Sequence, residues 1–213
     1  MVKLGLIGKK LAHSKSEQVY RELLDLEFTY DLLEYSNENH IPQAQKLLAN
    51  YDGLSITSPY KKHFLEQVIL DDKIKSLKAI NCLYKKDGKI YGANTDYEAI
   101  KILIGNYTLK NVAILGDGAM SFLCQKILIE KEISFEIFSR KSLGDISNLD
   151  LTKYSLVINC CSRDYSFAGT VSNETTFWDL NYSMTHQASF ALYEDGLELL
   201  KLQAKLALKY WGF

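Results

Sequence analysis

The sequence has no surplus of either charge: 25 Lys and Arg residues stand against 26 Asp and Glu residues, a net charge of −1 at pH 7. Grip on a phosphate backbone needs a basic surplus, so nucleic acid is excluded as an expected partner. No stretch reaches the roughly 18 apolar residues of a membrane helix. The start, Met1-Val2-Lys3-Leu4-Gly5, runs directly into a strand-like segment without a signal-type apolar region. A soluble, cytoplasmic chain with no membrane partner is expected. Metal-ligand spacing is missing as well. Cys82, Cys124, Cys160 and Cys161 fit no zinc pattern, and adjacent cysteines rarely bond to each other, so reduced structural thiols and no metal are expected. Asn106-Tyr107-Thr108 matches a glycosylation sequon, but that reading requires a secreted protein, for which nothing here argues.

What the chain does have is alternation. Its 213 residues suffice for one large or two small domains, and two is the working expectation. Leu4 to Ile7, Phe28 to Leu33 and Leu54 to Ile56 read as strands, separated by helical segments at Glu17 to Leu24 and Ile41 to Leu48. That order is expected of βαβ units on a parallel sheet. Ligands of such sheets bind beyond the carboxyl ends of the strands, which is where Thr57 and Lys61 fall. Ser16 suits the N-cap of the first helix. Ser14 and Ser16 together with that helix terminus can also hold a carboxylate. Pro59 fits the first turn of a following helix. Lys78 to Lys85 is strand-like, and Lys86-Asp87-Gly88-Lys89 signals a hairpin returning through Ile90-Tyr91 to Gly92-Ala93-Asn94-Thr95-Asp96. A helix is expected from Thr95 to near Gly105.

Downstream, Asn111 to Leu115 is a continuous apolar strand. Gly116-Asp117-Gly118-Ala119-Met120 follows, then a helix to about Lys131. Strand, glycine turn and helix is the order of a dinucleotide site, where glycines let the backbone approach a pyrophosphate. The next strand, Phe135 to Phe138, ends at Ser139-Arg140-Lys141. An Asp or Glu there serves the ribose of NAD, whereas Arg accommodates the 2′-phosphate of NADP, so Arg140 and Lys141 point to NADP. Leu156 to Asn159 and Thr176 to Leu180 read as further strands, and Gly196 to Trp211 as an amphipathic helix.

In this order the motifs resemble the shikimate dehydrogenase family over nearly the whole chain. They are Gly5-Leu6-Ile7-Gly8 with His13-Ser14-Lys15-Ser16, then Thr57-Ser58-Pro59-Tyr60-Lys61, Ala79-Ile80-Asn81 and Gly92-Ala93-Asn94-Thr95-Asp96. The glycine turn at Gly116, Ser139-Arg140-Lys141, Asn159-Cys160-Cys161, Asp179-Leu180-Asn181-Tyr182 and Gly196 with Gln203-Ala204 complete the set. The resemblance implies an α/β fold of two domains. Residues 1–96 plus 190–213 would form a substrate domain completed by the C-terminal helices, and 97–189 a Rossmann-like NADP-binding domain. Lys61 and Asp96 would flank the hydroxyl that is oxidised, Ser14 and Ser16 would hold the substrate carboxylate, and Thr57, Asn81, Tyr182 and Gln203 would line the pocket. Gly116, Gly118, Ala119, Ser139, Arg140, Lys141 and Asn159 would take NADP. The implied activity interconverts 3-dehydroshikimate and shikimate on the way to chorismate and the aromatic amino acids, in a monomer or homodimer. An NAD-linked enzyme of quinate or a related acid, and a non-catalytic shikimate-binding accessory protein, remain as alternatives. The chain departs from the family pattern at Glu17 (usually proline), Tyr20 (often histidine), Ser55 (asparagine), Asp117, Ala119, Met120 and Cys161-Ser162 (typically threonine-proline).

Overall fold

Residues 1–182 and 189–213 are described by the structure, a computed structural model. They separate into two compact units, Met1–Ala99 with Leu200–Phe213, and Ile100–Leu199.

The first unit is built on a five-stranded sheet of order β2-β1-β3-β4-β5. Its strands are β1 (Val2–Gly8), β2 (Phe28–Glu34), β3 (Gly53–Ile56), β4 (Cys82–Lys86) and β5 (Lys89–Ala93). Three run parallel, with Leu4 opposite Tyr30 and Leu6 opposite Ser55. The other two are antiparallel, so the sheet is mixed, as the hairpin read at Asp87-Gly88 requires. The turn joining β4 to β5 lies at Asp87 (φ 50) and Gly88 (φ 71), whose positive φ angles match a two-residue hairpin. Helices α1 (Ser16–Leu23), α2 (Ala44–Leu48) and α3 (Asp72–Leu77) connect these strands, and α4 (Thr95–Ile104) leaves the last of them. α7 (Leu197–Trp211) supplies Ala204, Ala207, Leu208 and Trp211 to the core that also holds Leu4, Tyr20 and Tyr30.

Several local expectations are corrected. Ser16 is the first residue of α1 and caps nothing; Ser14 Oγ accepts from the Ser16 amide at 3.2 Å. The second helix begins at Ala44, after a 3-10 turn at Glu38–His40. Pro59 precedes a single 3-10 turn, Tyr60–Lys62, through a cis peptide bond with Ser58. Lys78 is not strand but the left-handed end (φ 52) of α3, whose start is capped by Asp71 accepting from Ile74 N at 2.7 Å.

The second unit has a five-stranded sheet of order β10-β9-β8-β6-β7, parallel at every pairing. Its strands are β6 (Asn111–Leu115), β7 (Ser134–Phe138), β8 (Leu156–Asn159), β9 (Thr176–Asp179) and β10 (Leu192–Glu194). α5 (Ala119–Glu130) joins β6 to β7, and α6 (Arg140–Leu143) follows β7. β10 corrects the expected boundary at residue 190: Leu192–Glu194 extend this sheet beside β9, so the chain returns to the first unit only at Leu200. The first boundary likewise falls at Ala99 instead of Asp96, because α4 begins on the first unit. The C-terminal completion is a single helix.

Among the described residues no helix is long and apolar enough to cross a membrane, and no group of three His, Cys, Asp or Glu side chains could hold a metal ion.

Candidate active site

Two loops meet beyond the carboxyl ends of β1 and β3. They lie at the point where the chain, having built β2 on one side of β1, crosses to β3 on the other; crevices in open α/β sheets form at such points. The loop after β3 is fixed by Thr57 N bonding to Ile7 O (2.9 Å) and by Ile80 N bonding to Lys61 O (2.8 Å). Asp96 arrives from the first turn of α4, where a carboxylate is favoured by the helix dipole. That helix start is tied down twice: Asn94 Oδ1 accepts from Tyr97 N (2.9 Å), and Asn81 Oδ1 accepts from Thr95 N (2.7 Å). The result is an ion pair in which Lys61 Nζ donates to Asp96 Oδ2 at 2.6 Å, with side chains only 16% and 13% exposed.

Beside the pair runs a buried amide and hydroxyl network. Asn81 Nδ2 donates to Thr95 Oγ1 (3.0 Å), and Thr95 Oγ1 donates to Gln203 Oε1 (3.3 Å). Asn81 and Gln203 are thus brought together by Thr95, a residue to which the sequence assigned no role. Thr57 is half-buried at the loop entrance.

The loop after β1 contributes Ser14 and Ser16, both half-buried, with Ser14 Oγ donating to Ser16 Oγ at 3.1 Å. Behind them Tyr20 Oη and Ser55 Oγ share a buried hydrogen bond of 3.0 Å. The two departures from the family pattern therefore touch, which sequence spacing could not reveal. Burial pushes the Tyr20 hydroxyl well above its ordinary pKa, and neighbouring Tyr30 adds to the shift. The Tyr30 hydroxyl is buried and makes no hydrogen bond. An unmet buried polar group of this kind costs about 1–3 kcal/mol.

In the second unit the corresponding crossing lies between β6 and β8. Gly116 has φ +96, and a Cβ there would come within 3.3 Å of the Cys160 backbone. Gly118, the residue before α5, has open space where a Cβ would sit. Ala119 is exposed as the first residue of α5. A phosphate can therefore approach this helix terminus, and the donor set fits a dinucleotide. Ser139 caps α6, its Oγ accepting from Ser142 N, and Arg140 and Lys141 are exposed on that turn. Cys161 sits in the field of Arg140: burial lifts its thiol to about 11, the Arg140 guanidinium opposes this, and the carboxylates of Asp179 and Asp117 add to it. Asp117 is exposed beside the glycine turn. Asn159 turns inward, donating to Asp179 Oδ1 (3.0 Å) and accepting from Cys161 N (3.1 Å), so its fully buried side chain braces the loops instead of facing a ligand. Tyr182 belongs to this second unit, where its hydroxyl accepts from Arg163 Nη2 and its ring lies 4.7 Å beneath that guanidinium.

Residues 6–83 match the model of the shikimate dehydrogenase substrate binding domain. A shikimate dehydrogenase (NADP(+)) of Clostridium beijerinckii is 34% identical over 157 residues, covering 68% of this chain and 58% of that protein. One from Clostridium perfringens is 36% identical over 99 residues, 44% of this chain and 36% of its own length. The chain thus spans less than two thirds of each. That of Methanococcus vannielii is 30% identical over 192 residues, covering 74% of this chain and 67% of the relative. Among solved structures, the shikimate 5-dehydrogenase of Thermus thermophilus in complex with NADP(H) and shikimate superimposes with a TM-score of 0.80 at 20% identity, over 100% of this chain and 94% of that one. The shikimate dehydrogenase of Thermotoga maritima gives 0.76 at 21% identity, over 99% and 94%. The structures establish the common fold, and the extent of the Methanococcus match carries the further conclusion that this chain belongs to the shikimate dehydrogenase family.

Proposed function

We propose that the protein is an NADP-dependent oxidoreductase that interconverts 3-dehydroshikimate and shikimate on the route to chorismate. The observation that carries the reading is the shielded Lys61–Asp96 pair at 2.6 Å, in the same unit as the Ser14–Ser16 contact and the Asn81–Thr95–Gln203 network. It is supported by the relatives, whose names specify both shikimate and NADP.

Reduction of a ketone adds a hydride to carbon and a proton to oxygen. NADP, when bound, supplies the hydride in one direction and accepts it in the other. Lys61 Nζ gives its proton to the carbonyl oxygen during reduction and takes it from the hydroxyl during oxidation, for which it must come within about 3 Å of that oxygen. Asp96 holds the ammonium in place and accepts a hydrogen bond from the same hydroxyl. Ser14 and Ser16 bind the substrate carboxylate. Thr57, Asn81 and Gln203 orient the ring hydroxyls, and Tyr182 is assigned to the same substrate. Gly116, Gly118 and Ala119 admit the pyrophosphate, while Ser139, Arg140 and Lys141 receive the 2′-phosphate. Asn159 supports these loops. The reading includes a cytoplasmic location and a monomer or homodimer.

Purified protein mixed with shikimate and NADP should raise the absorbance of reduced cofactor, faster than with NAD and faster than with quinate. Absence of turnover with either cofactor would overturn the proposal. Stabilisation against heat by shikimate but not by NADP, again without turnover, would establish the accessory-protein reading instead.

A further inference from the structure

The hydroxyl of Tyr30 is the one buried side-chain polar atom of the described first unit that has no hydrogen-bond partner. Its place follows from strand register. Tyr30 pairs with Leu4 and Ser55 pairs with Leu6, two residues apart on β1, so both side chains stand on the same sheet face, the one covered by α1. On that face the Tyr30 ring packs 5.4 Å from the Tyr20 ring. Its hydroxyl neighbours are Ser16 and Ser55, which partly offset the rise that burial imposes on its pKa. Ser55 shares a hydrogen bond with Tyr20 and Ser16 with Ser14, and neither meets the Tyr30 hydroxyl in bonding geometry. The arrangement leaves one buried O–H donor next to Ser16, which with its partner Ser14 the proposed function gives to the substrate carboxylate.

We infer that Tyr30 is a third partner of the substrate carboxylate, donating its hydroxyl proton to a carboxylate oxygen held between Ser14 and Ser16. The inference rests on the proposed function, because only an acid seated at those serines brings an acceptor to this donor. Tyr30 then acts on affinity and on preference for the charged acid, and takes no part in proton transfer at Lys61.

The test is calorimetric titration of the wild-type chain and of Tyr30→Phe with shikimate and with methyl shikimate, together with thermal melting of both proteins. Loss of a hydrogen bond to a charged acceptor should weaken shikimate binding by roughly tenfold or more, with a much smaller change for the neutral ester. Because the deleted hydroxyl has no partner in the protein, the melting temperature should stay the same or rise. Unchanged shikimate affinity, equal weakening of acid and ester, or failure of Tyr30→Phe to fold would each overturn the inference. If wild-type protein binds neither compound, the functional reading falls along with it; if wild type binds and the variant binds equally, this inference alone falls.

Discussion

Lys61 and Asp96 lie 35 residues apart in the chain and 2.6 Å apart in the fold, and each is largely screened from water by the protein around it. Lys61→Met retains a long side chain and removes the ammonium. Turnover of shikimate should fall by about 100-fold or more, the usual contribution of a positioned acid or base, while shikimate binding changes little. Steady-state kinetics and titration calorimetry separate the two, and an unchanged kcat would remove Lys61 from the mechanism. A second residue-scale expectation concerns Cys161. The thiolate is the reactive form, and a pKa raised to about 11 lowers its population at pH 8 by on the order of a hundredfold relative to an ordinary thiol. Labelling by iodoacetamide, followed by mass spectrometry, should therefore be slow at pH 8 and accelerate as the pH climbs toward 11. Rapid labelling at pH 8 would contradict this environment. At this scale short motifs singled out Ser14, Lys61 and Asp96, and the fold brings Lys61 to Asp96 and Ser14 to Ser16. The sequence concealed partnerships made by tertiary register: the Tyr20–Ser55 bond and the Thr95 bridge exist only once α1, β3, α4 and α7 are assembled.

Elements were legible where local chemistry and tertiary need agree. Asp87-Gly88 announced its hairpin because few other residues accept two successive positive φ angles, and the glycine turn ahead of α5 was visible for a similar reason. α3 escaped notice because it is only six residues long, too short for an apolar period to register, and depends on the Asp71 cap. β10 has three residues with little burial and exists because β9 offers it a partner. The junction of β3 with α7 gives a test at this scale. A Cβ on Gly53 would lie 2.2 Å from the Trp211 ring, which is anchored by Nε1 donating to Leu83 O at 3.0 Å and cannot easily move aside. Gly53→Ala should therefore cost about 1–3 kcal/mol as overpacking. Thermal unfolding should show this as a melting point lower by roughly 3–10 °C. An unchanged melting point would mean that the two elements pack less tightly than described.

For the molecule as a whole, chain order and unit membership disagree: Leu200–Phe213 come last in sequence but belong with Met1–Ala99. The motifs, taken in order, suggested this completion, yet composition alone could not place the return point, because Leu-rich helical segments look alike whichever core they cover. Ending the chain after Leu199 should strip Ala204, Ala207, Leu208 and Trp211 from the first core and leave that unit unfolded. Limited proteolysis should then degrade Met1–Ala99 while Ile100–Leu199 persists as a resistant fragment, and shikimate binding should vanish. Resistance of the first unit in this truncated chain would show that α7 is dispensable for it.

The buried indoles carry a practical consequence. The chain has two tryptophans; Trp178 on β9 is in the second unit and Trp211 on α7 in the first, at 1% and 9% exposure. Each compact unit thus holds its own fluorophore, shielded while that unit is folded. Replacing one indole by phenylalanine gives a chain whose emission follows the other unit alone, so the red shift on denaturation can be timed separately for the two halves without any attached dye.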